Sequence, residues 1–189
     1  METENKRIPE ISEPTGGLLV WIVIFIELIT FGIALLFFVM NGKEDLLGFH
    51  KSALSLNKTI AFMNTMVLLT SGYTMALSID FFKRGTMKKF KSYLLFTIIL
   101  GTLFVVLKLF EYFIKYQQHI SLDTNPFYTY YYMLTAFHLF HVLFGIILLG
   151  YFYTTHSDIK LNDIEATASF WHMCDLIWLL IFPFIYLLY

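Results

Sequence analysis

The residues that could do chemistry in this chain come in pairs. His138 and His141, His172 and Asp175, and Lys108 and Glu111 each stand three residues apart, and Glu27 stands alone. All lie inside stretches that are otherwise nearly all apolar. At that spacing two side chains share a helix face. Ionisable groups at membrane depth are costly and normally face a protein interior or a functional pathway. Three chemistries fit the residue types. The first is hydrogen bonding between helices, which fixes packing. The second is metal or haem ligation. His, Asp and Glu are suitable ligands, and His141 with His172 could serve as axial ligands from two helices. The third is proton or ion relay through carboxylates and imidazoles. The spacing does not reproduce the Glu-x-x-His signature on two helices. There is no P-loop, no GxSxG and no HExxH, so no catalytic residue and no metal site is assigned.

Composition sets the medium in which these groups work. Of 189 residues, 58% are hydrophobic and 14% charged, and mean hydropathy is +0.67. Soluble domains carry about a quarter charged residues. The chain therefore reads as an all-α integral membrane bundle. A net charge of −1 and the lack of a long basic tract give no reason to expect nucleic acid. Cys174 is the single cysteine, which excludes an internal disulfide, a CxxC site and a cysteine-ligated cluster. In a mid-helix apolar run it reads as a small core side chain. The N-terminus lacks the pattern of a cleaved signal peptide.

The elements that must position the polar groups follow in order. Residues 1–15 form a polar tail containing Pro9 and Pro14, and 16–189 form the transmembrane domain. Five spans are expected at about 17–40, 59–82, 93–114, 128–151 and 167–189. Each is long enough for a hydrocarbon core, which needs roughly 20 residues. The stretch from Asn41 to Lys58 reads as a polar loop, and Lys83, Arg84, Lys88, Lys89 and Lys91 make a basic one. With five spans, eight Lys/Arg fall on the side of the N-terminus and four on the other. That excess puts the N-terminus in the cytoplasm and the C-terminus outside. Trp21, Tyr93, Tyr128 and Tyr189 suit interfacial anchors. At ~1.5 Å rise per residue, Glu27, His138 and His141 lie near the midplane. His172 and Asp175 lie in the inner half of the last span, and Lys108 and Glu111 in the outer half of the third. A central-to-inner cluster of Glu27, His138, His141, His172 and Asp175 is expected, with Lys108–Glu111 as a separate neutralising pair. Asn64, Thr65, Thr70, Ser71, Gly72 and Thr74 form a small, polar stripe that reads as a packing face. Pro183 reads as a kink.

The spans also carry ordered motifs. The last contains Glu165, Trp171-His172, Asp175, Trp178 and Tyr186. The fourth contains Phe137-His138, His141-Val142 and Gly145. The second contains Asn64-Thr65, Leu68-Leu69, Ser71-Gly72 and Thr74. The third contains Thr97, Leu100-Gly101, Phe104 and Glu111-Tyr112, and the first contains Glu27. Together they resemble subunit III of the haem–copper oxidases over about residues 16–189, in the form with five helices. That form occurs in quinol oxidases, some cytochrome c oxidases and an accessory protein of nitric-oxide reductase. The short chain and Lys108 lean toward the accessory branch.

The resemblance implies a non-catalytic, multi-pass subunit of a bacterial cytoplasmic membrane. It would carry no haem or metal, hold phospholipid, and pack beside catalytic subunit I or the nitric-oxide reductase large subunit, supporting proton uptake and stability. Glu27 would line a lipid cleft. Lys108, Glu111, His138, His141, His172 and Asp175 would form the buried polar framework. The competing readings are a small membrane haem or di-metal oxidoreductase and a proton carrier.

Overall fold

A computed structural model describes residues 14–155 and 159–189. The expected tail therefore lies outside the described residues, apart from Pro14 and Thr15, as does part of the last loop. The helices are α1 (Leu18–Glu44), α2 (Leu46–Leu54), α3 (Lys58–Lys83), α4 (Met87–Gln117), α5 (Pro126–Thr154) and α6 (Leu161–Tyr186). All but α2 are long and apolar enough to cross a membrane. The five spans are thus as expected, and several run past the expected ends into the interface. The last begins at Leu161 rather than near 167, so Glu165 belongs to the helix.

Local chemistry explains the boundaries. Asn57 and Asn125 accept hydrogen bonds from the backbone N–H of Ile60 and Tyr128 at the starts of α3 and α5. Asparagine is a preferred N-cap, and Pro126 follows at the first helical position, where a missing N–H costs nothing. The chain leaves α3 through Gly85 at φ 70°. There Gly85 N–H reaches Phe82 O, and Thr86 N–H reaches Phe81 O. This left-handed cap suits glycine.

The loop expected between the first two spans needs correction. Most of its middle is α2, capped by Asp45, whose carboxylate accepts from Gly48 N–H. Phe49, Ser52 and Ala53 face inward while Leu47 and Leu54 face out. Its polar residues hid a short amphipathic helix. α2 is tied to the start of α5 by Asn125 Nδ2 donating to Ser52 Oγ at 2.9 Å.

α3, α4, α5 and α6 close a ring, each packed on the next, and α1 lies against α5 and α6. The stripe on α3 is a packing face, as expected. Asn64, Thr65, Ser71, Gly72 and Thr74 are buried. Thr70 is the exception: it is exposed and bonds its own helix at Met66 O. Trp171 Nε1 donates to Ser71 Oγ, and Trp178 Nε1 to Thr65 Oγ1, both at 2.9 Å. Small residues make room for the indoles. A Cβ at Gly101 or Gly145 would fall 2.6 or 2.7 Å from the Trp171 ring. α6 runs through Pro183 and ends three residues later, so the missing N–H falls in its last turns.

Gly101→Val and Gly145→Val should each lower stability by about 1–3 kcal/mol, the usual range for overpacking. Gly32→Ala, which meets nothing within 4 Å, should leave it unchanged. Thermal unfolding in a fixed detergent measures the difference.

Candidate functional site

The buried charges centre on Lys108, which is wholly inaccessible to solvent. Its ammonium has three donors. They meet Tyr186 OH at 2.7 Å, Glu111 Oε2 at 3.0 Å and Tyr131 OH at 3.2 Å. The two phenols donate in turn to Glu111 Oε1, at 2.8 Å from Tyr186 and 2.9 Å from Tyr131. Lys108 Nζ also sits 4.5 Å from the ring centre of Tyr131 and 5.2 Å from that of Tyr112. Aromatic faces attract a desolvated cation. Removing two charges from water is repaid only when the pair is close and its remaining polar valences are filled. Here both conditions hold, and the closed ring joins α4, α5 and α6. Both charges are closed off from solvent, and the ring ties the three helices together.

The other expected cluster does not gather. Its five members split among three places, because α5 and α6 turn His138, His141 and His172 toward different neighbours. His141 Nε2 stands 3.3 Å from Glu27 Oε2, linking α5 to α1. His141 Nδ1 lies 2.8 Å from Phe137 O. A carbonyl can only accept, so Nδ1 carries the hydrogen. Glu27 Oε2 has no hydrogen-bond partner, so its contact with His141 is one of proximity. Phe31, Phe137 and Phe170 wall the pair. It opens onto the lateral surface, with side chains 13% and 21% exposed.

His172 Nδ1 and Asp175 Oδ2 are 3.4 Å apart on α6. Asp175 is buried against Gly72 of α3, whereas the His172 side chain is 42% exposed. His138 is fully buried. It stacks on Trp178 at 5.3 Å and meets the edge of Phe104 at 5.7 Å, and neither of its nitrogens has a hydrogen-bond partner. His141 and His172 are thus each engaged with a different carboxylate. Among the described residues, no three His, Cys, Asp or Glu side chains gather where they could hold a metal.

Sequence reasoning missed three members of the framework. Tyr131 was not singled out, and Tyr186 was noted only as part of a motif, although both complete the Lys108 ring. Lys115, one residue past the expected end of the third span, lies within α4, buried and donating to Ser55 O at 2.6 Å and Gln118 Oε1 at 3.2 Å. A signal existed for Lys115, which falls seven residues after Lys108 and so on the same helix face. The lateral surface also carries apolar hollows. One of about 730 Å³ lies between α4 and α5, lined by Tyr112, Tyr116, Met133 and Phe137 among others. Another, of about 220 Å³, lies between α1 and α5.

Comparison with known proteins gives a consistent match. The family described as cytochrome c oxidase subunit III matches residues 18–189. A probable cytochrome c oxidase subunit 3 from Rickettsia prowazekii (strain Madrid E) is 33% identical over 136 residues, covering 68% of this chain and 48% of the relative. Cytochrome c oxidase subunit 3 from Rhipicephalus sanguineus is 33% identical over 132 residues, covering 67% and 50%. A cytochrome bo(3) ubiquinol oxidase subunit 3 from Buchnera aphidicola subsp. Acyrthosiphon pisum is 25% identical over 192 residues, covering 99% of the chain and 93% of the relative. The chain thus spans about half the length of the two cytochrome c oxidase relatives and nearly all of the quinol oxidase one. None of these three is a nitric-oxide reductase accessory protein.

Lys108→Met should cost about 3–5 kcal/mol, because it strands a buried carboxylate. Lys108→Met with Glu111→Gln should recover part of that loss. Glu27→Gln, at a half-open site, should cost less than about 1 kcal/mol. Unfolding in SDS-containing mixed micelles ranks the three variants.

Proposed function

Because the chain belongs to the cytochrome c oxidase subunit III family, we propose that it serves as the non-catalytic third subunit of a haem–copper respiratory oxidase, seated beside catalytic subunit I in a bacterial cytoplasmic membrane. The observation that carries this reading is the family match across the entire spanning region, 18–189. The physical structure supports it. The deepest charges are used up in holding helices together, and the lateral surface is broad and apolar. Leu19, Ile22, Phe25, Ile26 and Ile29 of α1 all face outward. A subunit that works by packing and by holding lipid needs that distribution. The domain is taken as 16–189. Near end-to-end coverage of the quinol oxidase relative favours an oxidase over the nitric-oxide reductase branch.

Within this role Glu27 with His141 is the proton-linked pair at a lipid-facing crevice. Among the described residues it is the one carboxylate–imidazole contact that joins two spans and opens sideways. The hollows along α5 have the apolar lining that acyl chains require. Lys108, Glu111, His138, His172 and Asp175 act as framework. The N-terminus lies in the cytoplasm, on the side bearing the greater number of lysines and arginines.

A tagged pull-down from native membranes in mild detergent should recover a large haem-bearing subunit, and mass spectrometry should identify it as an oxidase. Recovery of this chain with lipid alone would contradict the role. For orientation, Lys88→Cys in a Cys174→Ala background should react with an impermeant maleimide in inverted vesicles and not in right-side-out ones.

A further inference from the structure

Around the α3–α4 turn the cations are unequally matched. Lys83 pairs with Glu165 at 2.6 Å, and Arg84 with Asp80 at 2.9 Å. Lys91 reaches Thr155 O at 3.5 Å. Those contacts engage Asp80 and Glu165, while Lys88 and Lys89 are exposed and have no carboxylate partner among the described residues. Lys89 instead lies over the ring of Phe81 at 5.1 Å, and Phe81 stacks on Tyr93 at 5.1 Å.

Directly along α4 from these two lysines is a groove of about 260 Å³, lined by Ser92, Tyr93, Leu95, Phe96 and Ile99. Helical spacing aligns the two features. Lys88 stands one turn before Ser92, and Lys89 one turn before Tyr93, so each lysine's position lies one turn above a residue that lines the groove. Below that first turn the lining turns apolar, with Leu95, Phe96 and Ile99 partly exposed.

We propose that this face of α4 is a binding site for one anionic phospholipid, with its phosphate between Lys88 and Lys89 beside Ser92 and an acyl chain along Leu95, Phe96 and Ile99. Charge complementarity selects the headgroup. The change from cationic rim to apolar groove within two helical turns matches the amphipathic profile of a lipid, whereas a soluble anion would use only the rim. The site lies on α4, away from the Glu27–His141 crevice. It rests on the membrane-spanning reading of α4 and not on the oxidase role.

The test uses the full chain reconstituted into vesicles of equal phosphatidylglycerol and phosphatidylcholine, then released in mild detergent for native mass spectrometry. The wild type should retain phosphatidylglycerol in preference. Lys88→Gln with Lys89→Gln should cut that preference by about tenfold. Ile99→Trp, which fills the groove without changing charge, should also reduce retention. Lys51→Gln with Lys58→Gln, at the other end of the bundle, is the control and should leave it unchanged. The proposal is overturned if the wild type shows no preference, if the Lys88/Lys89 variant keeps it, if the control lowers it equally, or if millimolar inorganic phosphate displaces the lipid. A thermal melt on each variant separates loss of lipid from loss of fold.

Discussion

The ion pair of Lys108 and Glu111 is the constraint on which the bundle's arrangement depends. A lysine with no solvent access is tolerated only if its hydrogens and the facing carboxylate are fully used. Meeting that demand draws Tyr131 from α5 and Tyr186 from α6 to one point on α4. Few backbone arrangements bring a phenol from each of two other helices within reach of both charges. The pair therefore specifies register among three helices as well as contributing cohesion. Neutral packing between helices in lipid is far more permissive.

Other polar contacts extend this restraint along the bundle. Trp171 and Trp178 hold α6 to the small-residue face of α3, and Ser52 and Ser55 hold the α2 region to α5 and α4. Lys83 with Glu165 closes the opposite end. Glu27 with His141 is different in kind. It joins α1 to the ring at a partly open surface and is bordered by phenylalanines. The framework is thus closed around Lys108 and partly open at the Glu27–His141 edge.

Much of this was legible in advance. Residue-by-residue hydropathy marks the five spans, since a helix in lipid must satisfy its own backbone groups and shows as a long apolar run. The pairing of Lys108 with Glu111, and of His172 with Asp175, was legible in their spacing, although His138 and His141, spaced alike, face different neighbours. The stripe from Asn64 to Thr74 showed its packing role through residue size. The family was legible from motif order. By contrast, α2 escaped notice because nine residues with a lysine, a histidine and a serine resemble a loop. The expected five-residue cluster does not form, because residues at similar depth along a membrane normal need not be neighbours.

The sequence by itself determined which stretches are long and apolar enough to span and which pairs share a helix face, because both depend on distance along one chain and on local helical geometry. Only the tertiary structure decided which helix each face meets. Rotation about the helix axis and the choice of neighbour are set jointly by all the packed side chains, and no single span encodes them. That is why His141 finds Glu27 of α1, His138 is enclosed by Trp178 and Phe104, and Lys108 is completed by two tyrosines more than twenty residues away.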